Sequence, residues 1–179
     1  MDNGTEWYRF FIMALMNILQ FPDSRLKNIA KPVDSFDADL STLIENMFET
    51  MYEAQGVGLA AIQVNVQKHI IVLDVSRENQ QPLALINLTI TEKRGSIDWE
   101  EGCLSFPGVY AKIKRAKEID VNFFDKEGKP HQITADGLLS VCIQHELDHL
   151  NGITFYDHLS PLKQGLLKKK LDKNRKRAL

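Results

Sequence analysis

Residues 136–152, DGLLSVCIQHELDHLNG, predict a helix that lies at the centre of the fold. His145 and His149 are four residues apart, so their rings project from one face of that helix, one turn apart. Two imidazoles at this spacing can bind a single metal ion at about 2.0–2.1 Å. Glu146, beside the first histidine, is placed to exchange a proton with a water molecule at that ion. The stretch therefore predicts a central metal-binding helix; the alternative is an ordinary buried helix that carries the pattern by chance.

The same helix face continues toward its N-terminus as an apolar surface. Leu138, Val141 and Cys142 precede His145 at helical offsets. Metal ligands beside an apolar wall are typical of a pocket that has a chemical end and a recognition end. The three side chains could equally belong to the hydrophobic core, and both assignments can hold together.

The rest of the chain predicts strands and two further helices. Apolar residues over 40–52 recur at the helical period, with Asp37 as the predicted N-cap and Gly56 as the predicted C′ residue. Another helix is predicted to begin at Ser160 and Pro161 and to run into a basic tail. Apolar, β-branched stretches predict strands at residues 69–75, 83–90, 118–124 and 131–135.

These elements predict one α+β domain, in which antiparallel or mixed sheets pack around the metal-binding helix and a C-terminal helix follows. Residues 1–15 carry no periodic pattern and are predicted to be an N-terminal extension, either disordered or reflecting an alternative start. The catalytic domain is then predicted to span residues 16–179, including a basic helix over 161–179.

The composition is that of an ordinary globular protein. Of 179 residues, 44% are hydrophobic and 26% are charged, which excludes the disordered, collagen-like and disulfide-scaffold classes. No run of 18 uncharged apolar residues occurs, so the sequence predicts no membrane span. With two cysteines and no recognisable export signal, the cytoplasm is the predicted compartment.

Charge is distributed unevenly along the chain. The net charge is −2, yet residues 161–179 hold eight Lys or Arg residues and one acid, Asp172. Residues 1–160 hold 14 bases and 23 acids. A basic tail on an acidic body favours a polyanionic partner. The alternative is a solvated helix end whose cations complement the helix dipole.

Two histidines do not complete a metal site, and Cys103 is the best candidate for a third ligand. It lies in residues 101–105, EGCLS, where Gly102 permits close approach of the backbone. A thiolate is a strong ligand for first-row metals. The alternatives are that Cys103 is a small buried hydrophobe or that it forms a disulfide with Cys142. Structural or surface roles are assigned to the remaining histidines, His69, His131 and His158.

A third segment, residues 55–63, has the sequence QGVGLAAIQ. Its two glycines let another chain approach the backbone closely. Its last residue, Gln63, offers a neutral amide donor that could face a developing oxyanion. By itself the segment equally predicts a helix end followed by a tight turn.

Together, three motifs in this chain resemble those of the peptide deformylases. They are GVGLAAIQ at residues 56–63, EGCLS at 101–105 and HELDH at 145–149. The motifs occur in the order and spacing of that family, and the similarity covers about residues 16–171. Family members often have proline before the arginine of the second region, where this chain has Lys114 followed by Arg115.

The resemblance implies a role for each matching position. Glu146 would be the catalytic acid and base, while Gln63 and the backbone N–H of Leu104 would stabilise an oxyanion. The metal ligands would be Cys103, His145 and His149. The substrate-binding residues would be Val57, Gly58, Leu138, Val141, Cys142 and Glu101, the last of which would also pair with Arg115.

The resemblance also implies an activity, the metal-dependent removal of the formyl group from formyl-methionyl nascent polypeptides with release of formate. Ferrous iron would be the physiological ion, and a Cys/His/His site also suits zinc, nickel or cobalt. The expected partners are nascent peptides and the ribosome, the latter through the basic C-terminal helix. The chain is expected to be a monomer without a membrane partner. Two alternative classes are a zinc-dependent peptidase with the same helix motif and an RNA-binding module whose metal site is structural.

Overall fold

The computed structural model describes residues 14–76 and 81–177. The predicted extension, residues 1–15, lies outside them apart from Ala14 and Leu15. Within the described part, no helix is long and apolar enough to cross a membrane. The α-helices are α1 (Ala38–Glu53), α2 (Gly137–Leu150) and α3 (Pro161–Arg177). The strands are β1 (Gly58–Ala60), β2 (Ile70–Leu73), β3 (Leu83–Arg94), β4 (Ile97–Cys103), β5 (Phe106–Arg115), β6 (Glu118–Phe124) and β7 (Pro130–Asp136). Short 3-10 helices occur at Ser24–Lys27, Ala61–Val64 and Phe155–His158.

The strands form two antiparallel sheets. Five of them pair in the order β1-β2-β3-β6-β7, and β4 and β5 form a separate hairpin. Each neighbouring pair of these strands is antiparallel. The predicted α+β class, with sheets packed around a central helix and a further helix at the C-terminal end, is confirmed.

Helix α2 is the central helix and contacts both sheets. Nine of its 14 residues are buried, so most of its surface is enclosed by protein. Ile143 and Leu150 pack into the main hydrophobic cluster with side chains of the five-stranded sheet. The helix is slightly shorter than the predicted range 136–152, because Asp136 and Asn151 are its N-cap and C-cap residues.

Helix α1 packs its apolar stripe against the edge of the same sheet. Leu40, Ile44 and Met47 are buried in a cluster that also contains side chains of β1 and β2. The carboxylate of Asp37 accepts a hydrogen bond of 2.9 Å from the Leu40 N–H. The predicted N-cap is therefore confirmed.

The predicted C-terminal cap of α1 is wrong. Gln55, not Gly56, takes the left-handed conformation, with φ of 55°. The N–H of Gly56 then donates to the Met51 carbonyl, as in a Schellman motif. Gly56 instead lies against the Leu104 side chain, since a Cβ there would lie 2.7 Å from Leu104 Cδ1.

Strands are predicted best where apolar residues dominate. β2, β6 and β7 lie within one or two residues of the predicted ranges 69–75, 118–124 and 131–135. β3 continues four residues past its predicted end, where Arg94 forms ion pairs with Glu118 and Asp120 of the neighbouring strand. The strands β4 and β5 are not predicted, since charged residues interrupt their apolar ones.

Helix α3 supports the β4–β5 hairpin. Leu167 and Leu171 are buried in an apolar cluster with Phe106 and Phe155. Because Phe106 begins β5 and Cys103 ends β4, the helix packs directly behind the turn that carries the cysteine. One face of the basic C-terminal helix is thus part of the packed domain.

Candidate active site

Three possible metal ligands meet between the hairpin and the central helix. Cys103 ends β4, and His145 and His149 project from consecutive turns of α2. Their ligand atoms all lie within 4.8 Å of one another, and Cys103 Sγ is 3.2 Å from His149 Nε2. These separations suit donors that share one ion at about 2.0–2.3 Å. Both Cys103 and Cys142 are free thiols, so the disulfide alternative is wrong.

The protein orients the His145 ring toward the ligand cluster and keeps the His149 ring neutral. His145 Nδ1 lies 2.8 Å from Glu101 Oε2. Because a carboxylate accepts, Nδ1 carries the proton, and the lone pair of Nε2 is left for a metal. Burial lowers the pKa of His149 well below its ordinary value, so this ring stays neutral.

In the absence of a metal ion, the groups around His145 favour a second proton on its ring. Burial opposes a positive charge on the ring, yet the nearby Cys103 thiol and the hydrogen bond to the Glu101 carboxylate raise the pKa of His145 well above its ordinary value. A proton is therefore attracted to the place where the thiol and the imidazoles converge. A metal ion that binds there displaces such a proton. One sulfur and two nitrogen donors fit a divalent iron, zinc, cobalt or nickel ion.

A buried ion pair fixes the partner of His145. The Glu101 carboxylate accepts hydrogen bonds from Arg115 Nε (2.7 Å) and Nη2 (3.0 Å). Although burial opposes ionisation, the hydrogen bonds from His145 and Arg115 lower the pKa of Glu101 to about 2. Both of its oxygens are engaged by protein groups. Glu101 is therefore placed to orient His145, and it also borders the cleft in which its contact with substrate is predicted.

Glu146 lies beside the ligand cluster in a nearly closed environment. It is 5% exposed, and among the described residues none gives its Oε2 a hydrogen-bond partner. Burial raises the pKa of Glu146 to about 7. Gly58 of β1 packs directly against it, since a Cβ at Gly58 would lie 2.6 Å from Glu146 Oε1. Glycine is thus needed for the close approach of this strand to the carboxylate.

The two predicted oxyanion donors lie next to the cysteine. Gln63 Oε1 accepts a hydrogen bond of 2.8 Å from the Ala60 N–H, which fixes the orientation of the amide. Its Nε2 donates to Ser105 Oγ at 3.1 Å and lies 3.6 Å from Cys103 Sγ. Leu104, which follows the cysteine, lines the open cleft. The amide and the Leu104 backbone therefore both lie close to the sulfur.

A cleft of about 520 Å³ opens onto these groups. Cys103, His145 and Glu146 lie at its polar end, whereas His149 is fully buried behind them. Cys142 both lines the cleft and belongs to the main core cluster, so one residue of the apolar wall takes part in both surfaces. The cleft is lined by all predicted substrate-binding residues, namely Val57, Gly58, Glu101, Leu138, Val141 and Cys142.

Several residues of the site are not anticipated from the sequence. Trp99, Pro107 and Tyr110 line the outer cleft, and they belong to the hairpin that the apolar pattern does not predict. The Tyr110 ring covers Gly102, where a Cβ would lie 2.6 Å from its Cε1 atom. Alternation of polar and apolar residues over 97–103 is the available signal for this strand.

Comparison with known proteins gives one consistent result. The family model described as polypeptide deformylase matches residues 15–165. Peptide deformylase of Chromobacterium violaceum is 53% identical over 164 residues, which cover 92% of this chain and 98% of that protein. A crystal structure of a peptide deformylase from Legionella pneumophila has a TM-score of 0.89 at 47% identity, over 92% of this chain and 98% of the other. That of Ehrlichia chaffeensis with actinonin has a TM-score of 0.85 at 38% identity, over 90% and 98%.

The match covers all residues of the candidate site described above. It includes the central helix, the cysteine hairpin and the glycine segment, and it extends from residue 15 to residue 165. Identities of this size over most of both chains show common family membership and not only a shared fold. The chain belongs to the polypeptide deformylase family.

Proposed function

We propose that Cys103, His145 and His149 hold a divalent metal ion with which this enzyme removes the formyl group from the N-terminus of nascent peptides. The observation that carries the proposal is the convergence of this donor set with a buried carboxylate at the polar end of an apolar cleft. Three protein ligands leave one tetrahedral position for a water molecule or substrate, as in catalytic rather than structural sites.

The proposed reaction breaks the formyl C–N bond and gives formate and a free amine. When bound, the ion supplies Lewis acidity, which lowers the pKa of water and polarises a carbonyl group. Glu146 accepts a proton from the attacking water and then donates it to the leaving amine. Burial raises the pKa of this carboxyl above its ordinary value, whereas the charge of a bound ion acts in the opposite direction. Gln63 and the Leu104 N–H donate to the developing oxyanion, each contributing about 2.7–4 kcal/mol.

The apolar wall is the proposed binding surface for the methionine side chain that follows the formyl group. Leu138, Val141 and Cys142 line the cleft on the same helix face as the ligands. An unbranched side chain can follow such a wall, and its burial contributes about 1.5–3 kcal/mol. Val57 and Gly58 also border the cleft, and the Gly58 backbone is the proposed contact for a peptide group of the substrate.

Ferrous iron is the proposed physiological ion, and zinc, nickel or cobalt can occupy the same donors after purification. A thiolate and two imidazoles do not discriminate strongly among these ions, so availability and oxidation decide which one is found. The metal content of protein purified without oxygen is therefore the direct measurement.

The test of the function compares formylated and free peptides on one preparation. We expect formate release from a formyl-methionyl tripeptide, loss of that activity with a chelator, and recovery with added Fe²⁺ or Co²⁺. The same tripeptide without its formyl group is expected to stay intact. Cleavage of internal bonds in unformylated peptides would instead identify a zinc-dependent peptidase.

The proposed ribosome contact of the basic C-terminal helix extends onto β5. Lysines of both elements form one basic face, namely Lys163 and Lys170 of α3 and Lys112 and Lys114 of β5. Lys112 and Lys163 line two adjacent surface cavities, with Lys114 at the first and Lys170 at the second. Cations from two elements can contact successive phosphates of RNA. This partner implies a cytoplasmic location. One chain supplies all residues of the proposed active site, so a monomer is sufficient.

The double variant Lys112→Glu/Lys114→Glu is expected to bind ribosomes more weakly. The slope of log affinity against log salt should decrease by about two, since each lysine accounts for about one phosphate contact. Co-sedimentation with ribosomes over a range of KCl concentrations measures the slope. Formate release from a short peptide should be unchanged, because neither lysine lines the cleft.

The matched control is Lys169→Glu/Lys173→Glu on α3. Both lysines are exposed, and helical geometry places Lys169 away from the buried Leu167. This variant makes the same change in net charge away from the basic face. Equal slopes for the two double variants would contradict a defined basic face and indicate a diffuse attraction by the tail.

A further inference from the structure

A chain of side chains leads from the proposed metal site to the protein surface. His145 is bound by Glu101, and Glu101 is bound by Arg115, as described above. Arg115 also donates from Nη1 to Asp148 Oδ2 at 2.6 Å. The same oxygen of Asp148 lies 2.7 Å from Nε2 of His158. Five charged or titratable side chains thus form one continuous hydrogen-bonded series.

The middle of this series depends on its outer end. The Arg115 side chain is 6% exposed, so its donors must be satisfied by protein groups. Glu101 takes the hydrogen bonds of Nε and Nη2, and Asp148 takes that of Nη1. Without Asp148, the guanidinium would keep its two hydrogen bonds to Glu101, but its buried Nη1 would lose its carboxylate partner. With both carboxylates, the orientation of its planar fork is defined.

The position of Asp148 is also fixed by the helix that carries the ligands. It precedes His149 directly and follows His145 by three residues on α2. The arginine therefore links one side of this helix to Glu101 of β4, while Glu101 returns to His145 on the same helix. The resulting ring closes the hairpin onto the helix next to the ligand cluster.

We propose that Asp148 is a positioning residue of the metal site, which acts through Arg115 and Glu101 on the orientation of His145, and that His158 holds Asp148 in place from the solvent side. This inference rests on the proposed metal ligands. Partners of a ligating histidine typically change metal affinity by 10–100-fold when they are removed. Asp148 acts two side chains further out, so its effect should lie near the lower end of that range.

His158 gives the outer end of the series its rigidity. The Asp148 side chain is 20% exposed and that of His158 is 39% exposed, so water competes for the shared oxygen. His158 ends the 3-10 helix Phe155–His158, whose Phe155 is fully buried. Because packing of Phe155 fixes this turn, the His158 ring limits the rotation of the Asp148 side chain. Its removal should therefore have a smaller effect than removal of Asp148 itself.

The experiment measures Co²⁺ binding by the full chain, by competition with a chromophoric chelator, together with the visible absorption spectrum of the Co²⁺ form. We expect Asp148→Ala to raise the Co²⁺ dissociation constant about tenfold and to shift the spectrum. Asp148→Asn keeps the shape and one acceptor oxygen, and it should give a smaller change in the same direction. His158→Ala should raise the constant about two- to threefold. Asp148→Asn also provides the test if the alanine variant does not fold.

A second aspartate–histidine pair on the surface gives the matched control. Asp125 Oδ2 lies 2.6 Å from His131 Nε2, with side-chain exposures of 26% and 46%. This pair has no link to Arg115 among its hydrogen bonds in the described residues. Asp125→Asn and His131→Ala should therefore leave Co²⁺ affinity and the spectrum unchanged.

Each outcome separates the inference from the function on which it rests. If Cys103→Ser binds Co²⁺ as tightly as the unaltered chain, the proposed ligand set itself is wrong. If Cys103→Ser loses the ion but both Asp148 variants keep unaltered affinity and spectrum, only the role of Asp148 is wrong. A lower melting temperature without a change in Co²⁺ binding would likewise show that Asp148 is merely structural. An unaltered His158→Ala beside weakened Asp148 variants would remove His158 from the proposal.

Discussion

Glu146→Gln is expected to bind metal like the unaltered enzyme but to lose about 10²–10⁴-fold in kcat for formate release. The variant keeps the volume of the side chain in its buried position, so the fold and the ligand cluster should be retained. It removes the group that accepts and returns the proton. Because substrate binding does not depend on that proton transfer, KM should change far less than kcat.

Steady-state kinetics with a formyl-methionyl peptide, together with metal analysis of the same preparation, provide the measurement. Glu45→Gln serves as a control, since Glu45 lies on α1 and does not line the cleft. Near-normal turnover by Glu146→Gln with a full metal content would remove this carboxylate from the mechanism. Loss of the metal along with activity would show that Glu146 supports the site rather than the proton transfer.

The local part of the active site follows directly from the sequence. His145, Glu146 and His149 lie within two turns of a single helix, and helical geometry alone places both rings on one face. The apolar wall on that face follows from the same periodicity. The cleft and the core then prove to share Cys142, which explains why the sequence supports either assignment.

The long-range part of the site does not follow from periodicity. Cys103 meets the histidines only because β4 and β5 form a hairpin against α2, and charged residues in those strands obscure their pattern. The motif resemblance supplies that ligand where local propensity does not. Asp148 lies inside the recognised helix motif, yet its link to Arg115 joins residues 33 positions apart. Such pairings are decided by tertiary packing.

The C-terminal cap of α1 is a second feature that local sequence patterns do not predict. Glycine is favoured at the C′ position, which makes Gly56 the natural choice. The left-handed residue is nevertheless Gln55, and the glycine one position later makes room for Leu104. A contact with a residue far along the chain thus determines where the small residue is needed, and local rules do not include such contacts.

The same reasoning makes Gly58→Ala the sharpest structural test of the site. A Cβ at this position would lie 2.6 Å from Glu146 Oε1, 3.1 Å from Glu146 Cδ and 3.0 Å from Leu73 Cδ2. Since β1 is held by its pairing with β2, the carboxylate rather than the strand has to move. A displacement of about 1 Å from productive geometry can cost about 100-fold in rate. We expect a loss of that order in kcat/KM, with metal content retained.

Two other glycines separate a misplaced carboxylate from general effects of the substitution. A Cβ added at Gly165 of α3 would have no neighbour within 4 Å, so Gly165→Ala should leave activity unchanged and raise the free energy of unfolding by about 1 kcal/mol. Gly56→Ala meets only the flexible Leu104 side chain and should reduce activity less than Gly58→Ala. Kinetics and thermal unfolding of the three variants provide the comparison. Full activity of Gly58→Ala would contradict the tight placement of Glu146, because the carboxylate could then shift without consequence for the reaction.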